Sequence, residues 1–186
     1  MDTGVPISST LIADGKDARR IHALALGLSL FLIYAWGASR TIYVGDSGEL
    51  VAAVHTLGIP HPSGYPLYVL LGKLWTVLVP VGSIAFRMSL FSAFCAAAAV
   101  ACFYLVGRRL RLAAVPALFS SLLLAFSPSF WSQANIQRVY SLNALLLVMA
   151  LYLALAWYRS RQPRALIAAF FVAALGACNH TYMGVF

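Results

Sequence analysis

Asp46 and Glu49 are the only carboxylates beyond the first 17 residues of the chain, the other acids being Asp2, Asp14 and Asp17. They sit in a stretch from Tyr43 to Tyr68 that also holds His55, His61, three prolines (Pro60, Pro62, Pro66) and four glycines (Gly45, Gly48, Gly58, Gly64). A carboxylate in such a place can act as a general base toward a hydroxyl group. Two acids with two histidines are also metal-ligating types. No diagnostic ligand spacing accompanies them, so a divalent metal on Asp46 and Glu49 stays open. The run Pro60-His61-Pro62-Ser63-Gly64-Tyr65-Pro66 fixes φ at its prolines and leaves Gly64 as the flexible point, a way to hold His61 and Tyr65 over the acidic pair.

Two later stretches add chemistry. Ser127 to Asn143 is polar and aromatic and carries Arg138, Tyr140 and Asn143. A guanidinium fork suits a phosphate well, and Arg87 or Lys73 are further cations for the same task. Asn179-His180 follows near the end of the chain.

The elements that must position these groups are membrane helices. The chain has 186 residues, 62% hydrophobic and 10% charged, with a mean hydropathy of +0.85. That composition belongs to an all-α integral membrane protein. The net charge of +8 is spread in short basic clusters between apolar runs, a positive-inside pattern that argues against nucleic acid as a partner. Cys95, Cys102 and Cys178 lie in apolar segments without paired spacing, so they give neither a disulfide framework nor a zinc site.

Residues 1–20 read as a cytoplasmic tail and 21–186 as a polytopic membrane domain with a first external loop over 39–85. Ile21–Ala38 is the first apolar run. Ala35-Trp36-Gly37 resembles a cleavage site, but the run is longer than a signal-peptide core of about 7–15 residues, so it is expected to stay as an anchor. Leu67–Val79, between Pro66 and Pro80, is too short at about 20 Å to cross and is expected to be re-entrant or interfacial. Further spans are expected at Phe86–Val106, Leu112–Phe126, Tyr140–Tyr158 and Ala165–Met183, about five crossings in all. This places Lys16, Arg19, Arg20, Arg108, Arg109, Arg111, Arg159, Arg161 and Arg164, nine of 13 Lys+Arg, on the inner side, as the positive-inside rule asks. The Asp46 loop, Arg87, the Ser127–Asn143 stretch and Asn179-His180 then converge on the external face.

Simpler readings stand beside these. Asp46-Ser-Gly-Glu49 fits a helix start, Asp46 capping and Glu49 completing a capping box. That helix is expected to run to Leu57, with Leu50, Val51, Val54 and Leu57 on one side and Glu49, Ala53 and Thr56 on another. Phe130, Trp131 and Tyr140 fit an interfacial aromatic belt, and Arg138 fits a snorkelling arginine.

Asp-Ser-Gly-Glu-Leu, Thr-Leu-Gly-Ile-Pro-His-Pro-Ser-Gly-Tyr-Pro-Leu-Tyr-Val-Leu-Leu-Gly-Lys-Leu, Val-Tyr-Ser-Leu-Asn and Asn-His-Thr together resemble a bacterial membrane family of the domain-of-unknown-function class. Its eukaryotic relative is a transmembrane protein O-mannosyltransferase of the GT-C glycosyltransferase superfamily. The resemblance covers about Tyr43 to Thr181. It implies a catalytic acid in the first external loop, matching Asp46, with Glu49 beside it, and a polyprenyl-phosphate sugar as donor. Family members usually carry an acid immediately before Val-Tyr-Ser-Leu-Asn, where this chain has Arg138, and GT-C enzymes generally have more spans.

The function expected from residues and resemblance together is transfer of a mannose-like sugar from a polyprenyl-phosphate donor to a hydroxyl of a protein or glycan. It would occur at the external face of a bacterial inner membrane, with the N-terminus cytoplasmic and lipids around the chain. Asp46 is the expected base. Glu49, His61, Tyr65, Arg138, Tyr140, Asn143, Asn179 and His180 are the expected substrate-binding residues. The alternative is a non-catalytic membrane protein that binds lipid phosphate or assists assembly. A transporter ranks behind both, since no span carries a pair of buried charges.

Overall fold

The computed structural model describes residues 15–180. They form eight helices: α1 Lys16–Gly37, α2 Ser47–Thr56, α3 Pro66–Leu78, α4 Ile84–Arg109, α5 Ala114–Ala125, α6 Pro128–Ala134, α7 Tyr140–Ser160 and α8 Pro163–Asn179. No strand occurs among the described residues. The all-helical expectation therefore holds. Three helices, α1, α4 and α7, are long and apolar enough to cross a membrane, or four spans if the bent pair α5–α6 counts as one.

The central element is α4. Ser83 caps it by accepting a hydrogen bond from the Phe86 N–H at 3.2 Å, and Arg108 and Arg109 in its last turn suit the negative end of the helix dipole. Its alanine-rich middle lets neighbours approach closely, as small residues do between membrane helices. A Cβ on Gly27 of α1 would lie 3.2 Å from the Ala101 Cβ. Packing then runs α1 on α4, α4 on α7 and α7 on α8.

Two apolar cores flank α4. One joins α2, α3, α7 and α8 through Leu50, Val54, Tyr68, Met88, Leu142 and Val172. The other joins α1, α5 and α6 through Leu30, Tyr34, Ala96, Val100, Ala117 and Ala134. In the second core the Tyr34 hydroxyl donates to the Ala125 carbonyl at 2.9 Å, satisfying an acceptor that the end of α5 leaves open.

Several expectations need correction. The Leu112–Phe126 run gives the 12-residue α5 within its expected bounds, about 18 Å long, but not the bend that follows it. Extended backbone at Ser127 and Pro128 at the start of α6 then turn the chain by 68°. The final run begins at Pro163 and its helix ends at Asn179, with Met183 outside the described residues. The Asp46 helix stops at Thr56, and Leu57 turns left-handed at φ 56° and is exposed. Ala53, not Leu57, completes its buried face.

Candidate active site

The site lies at the end of the bundle where α1 finishes and α4 and α7 begin. Its frame is a buried polar knot centred on Gln137, which is fully buried. The Gln137 Nε2 lies 3.0 Å from the Thr41 carbonyl, 3.2 Å from the Ala85 carbonyl and 2.7 Å from the Ser89 Oγ, while its Oε1 accepts from the Tyr43 N–H at 3.1 Å. The Ser47 hydroxyl donates to the Gln137 carbonyl at 3.2 Å. Loop 38–46, the start of α4 and the segment before α7 are thereby locked together.

That frame presents Arg138 to Asp46. Arg138 Nη1 lies 2.5 Å from Asp46 Oδ2, and Nη2 donates to the Val44 carbonyl at 2.9 Å. The arginine side chain is only 16% exposed and the aspartate 51%, so Arg138 is held within the site rather than snorkelling. Gly45 makes the approach possible. It adopts φ +76°, and a Cβ there would stand 2.5 Å from Arg138 Nη2. The capping box does not form: Asp46 precedes α2, but its side chain makes no cap hydrogen bond, because the carboxylate turns to Arg138 instead.

Glu49 turns the other way. Its Oε1 accepts from the His61 N–H at 2.5 Å and its Oε2 meets His61 Nδ1 at 2.8 Å. His61 Nε2 in turn lies 2.9 Å from the Tyr65 hydroxyl. A carboxylate at Nδ1 favours the tautomer with its proton there, leaving Nε2 to accept from Tyr65. The His61 ring, and then its backbone N–H, hold the Glu49 carboxyl below the usual carboxylate range. By linkage, this contact contributes stability above the ordinary glutamate value that is lost as pH falls through the lowered one. Glu49 is the sole glutamate of the chain. A ¹³C-glutamate label therefore gives one resonance, expected to titrate below the free-glutamate value and to move back up in His61→Ala. An unshifted midpoint in the parent protein would count against the contact.

The remaining residues singled out in the sequence gather at the same end. His180 stacks obliquely between Tyr65 and Tyr140, with ring centroids 5.6 and 6.0 Å away. The Asn179 amide donates to the Val139 carbonyl at 3.2 Å and to Asn143 Oδ1 at 3.4 Å. Arg87 and Lys73 do not join them. Arg87 donates to the Thr76 and Gly82 carbonyls and Lys73 to the His55 carbonyl, so both tie loops in place.

Beside Arg138 opens a cavity of about 570 Å³ lined by Ser39, Tyr43, Gln133, Asn135, Arg138 and Tyr140, within the range of small-molecule sites. Gln133 Oε1 and Asn135 Oδ1 are buried there without a hydrogen-bond partner among the described residues. Asn135 is oriented by its Nδ2, which donates to the Trp131 carbonyl at 3.1 Å.

Residues 46–186 match the family described as the protein O-mannosyl-transferase TMEM260 N-terminal domain. The chain belongs to this family. Among curated relatives it is 34% identical over 164 residues to the mouse protein O-mannosyl-transferase TMEM260, covering 86% of this chain and 23% of the mouse one. It is 30% identical over 135 residues to the Dictyostelium discoideum protein O-mannosyl-transferase tmem260, covering 72% of this chain and 16% of that one. The chain thus spans about a quarter or less of the relatives it matches. No solved structure matches. With its apolar helices and these relatives, the chain is an integral membrane protein.

The match to the TMEM260 N-terminal domain begins at Asp46 itself. A metal fits this arrangement poorly: Asp46 already holds Arg138 and Glu49 holds His61, and no three ligating side chains cluster among the described residues. Gln133, Asn135 and Gln137 are site residues that sequence reasoning passed over. The available signal was the crowding of three carboxamides into five residues of an otherwise apolar chain.

Proposed function

We propose that the chain forms the N-terminal, site-bearing part of a membrane glycosyltransferase. The enzyme moves a mannose-like sugar from a polyprenyl-phosphate donor to a hydroxyl of a protein or glycan at the external face. The observation that carries this reading is Arg138, paired with Asp46, in the wall of a cavity also lined by Gln133 and Asn135, whose amide oxygens are buried and unpartnered among the described residues. A base, a phosphate-directed cation and acceptors for sugar hydroxyls are the parts such a transfer needs, and the family resemblance points the same way.

In this mechanism Asp46 takes the acceptor proton as the acceptor oxygen attacks the anomeric carbon. The bond from that carbon to the phosphate oxygen breaks on the opposite face, and its electron pair leaves with the lipid phosphate. Arg138 offsets the charge gathering there. Gln133 and Asn135 receive sugar hydroxyls, while His61 and Tyr65, braced by Glu49, shape the acceptor side. No step is routed through a metal. The full-length protein, reconstituted in vesicles with radiolabelled mannosyl-phosphoryl-polyprenol and a hydroxyl-bearing peptide, should release label into the peptide. Absence of transfer across mannosyl and other hexosyl donors would falsify the assignment.

Crossing α1, α4, the α5–α6 pair, α7 and α8, with α3 remaining at one side, gives five spans and keeps the basic helix ends together. In a background free of native cysteines, Ser63→Cys and Gln133→Cys should label from outside intact cells. Arg109→Cys and Arg161→Cys should label only after permeabilisation. Outside labelling at position 109 defeats this topology.

A further inference from the structure

The opposite end of the bundle carries a second site, independent of the transfer reading. The start of α1 and the ends of α4 and α7 bring Arg19, Arg20, Arg108, Arg109 and Arg159 around one cavity of about 390 Å³, together with Tyr152. Positive-inside topology asks only for basic residues near the interface, where their heads reach outward into water. Here Arg108 and Arg109 turn inward, while Arg20 and Arg159 stay exposed at the rim. Arg108 is 7% exposed, with Nη1 3.5 Å from the Tyr104 hydroxyl, and Arg109 lies over the Tyr152 ring at 4.2 Å.

The acids of residues 1–186 are too few to balance this charge. Nine cations belong to the segments at this end, and the acids that sequence allows near them are Asp2, Asp14 and Asp17. Asp17 reaches Arg20 at 4.0 Å, with both side chains exposed. Even three acids leave a large positive excess, which favours an anion from outside the chain.

The cavity also continues into grease. It shares Arg20 and Leu105 with a groove of about 690 Å³ between α1, α4 and α7, lined by Leu24, Leu28, Phe31, Phe94 and Leu145 among others. A guanidinium-walled head pocket opening into an apolar channel matches one kind of molecule. We propose that this end binds a phosphate-headed anionic glycerolipid, with its phosphate among the five arginines and an acyl chain along the groove. Basic pockets between membrane helices bind anionic headgroups in this way.

The test uses the intact protein, purified in mild detergent, stripped of lipid and offered phosphatidylglycerol or phosphatidylcholine of equal chain length. Bound lipid is counted by native mass spectrometry. Phosphatidylglycerol should be retained and phosphatidylcholine should not. Removing one arginine charge should weaken retention about five-fold, so Arg109→Gln/Arg159→Gln should lose about 25-fold. Arg159→Gln alone, at an exposed position, keeps the test valid if the double variant misfolds. Ala98→Trp fills the groove without touching an arginine and should also release the lipid, whereas millimolar pyrophosphate should not displace it. Equal retention of the two lipids, or undiminished binding in the arginine variants, overturns the site. Displacement by pyrophosphate, or no effect of Ala98→Trp, shows a free-phosphate pocket and overturns the lipid assignment.

Discussion

Asp46→Asn should leave the protein folded and inserted while cutting sugar transfer roughly 10²–10⁴-fold, the span of general-base catalysis. Asparagine keeps the size of the side chain and an oxygen for Arg138 Nη1, and removes the proton acceptor. Stability should barely change. The aspartate caps nothing with its side chain, and its ion pair is half-exposed on the acid side, where such pairs contribute about 0–1 kcal/mol. Glu49→Gln should cost less, because Glu49 braces His61 and does not face the cavity side of the site through Arg138. The measurement is transfer from the polyprenyl-phosphate donor in reconstituted vesicles, normalised to protein level. Wild-type transfer by Asp46→Asn would remove the aspartate from the chemistry and favour a lipid-phosphate-binding role for the Arg138 end.

Gln137→Leu should have the largest effect on stability, a loss of roughly 1–3 kcal/mol. Leucine fits the volume but strands the Tyr43 N–H, which relies on Gln137 Oε1, and leaves the Thr41 carbonyl with the Ser39 hydroxyl as its one remaining side-chain donor. A buried donor or acceptor left without a partner costs about 1–3 kcal/mol. Loop 38–46 should loosen with it and take Asp46 out of register with Arg138, so transfer should fall as well. Gln133→Leu is the control. Its Oε1 already lacks a partner, so leucine should leave the melting temperature near that of the parent while weakening sugar binding. Thermal unfolding in detergent compares the two, and equal melting temperatures would show that the Gln137 knot does not hold the loop.

Long apolar runs made most of the fold readable before any coordinates. The helices α1, α4 and α7 lie within a few residues of the runs that announced them, because sustained hydropathy has few other outcomes in a membrane chain. At α5 the run also lay within two residues of the helix, but the hydropathy signal does not register the bend that Ser127-Pro128 makes after it. Candidate site residues could be nominated one by one, and the polar patches do meet at one end of the bundle. Their pairing was not legible. Asp46 satisfies the local rule for a helix cap, yet a partner 92 residues away holds its carboxylate instead. Lys73 and Arg87 looked like phosphate ligands by charge, and backbone carbonyls within 18 residues claim them. Gln137 was hidden for a related reason: a buried carboxamide is recognisable only through the three segments it joins.

The separation between Asp46 and Arg138 also has a consequence in time. At a synthesis rate of about 5–20 residues per second, the ribosome delivers Arg138 roughly 5–20 s after Asp46, given the 92 residues between them. Throughout that interval loop 38–46 has neither its guanidinium nor the Gln137 amide to fold against. The nascent loop must wait, solvated and accessible to proteases, until the start of α7 has emerged. The two ends of the bundle therefore mature on different schedules. Arg19 and Arg20 meet Arg108 and Arg109 before the aspartate meets its arginine.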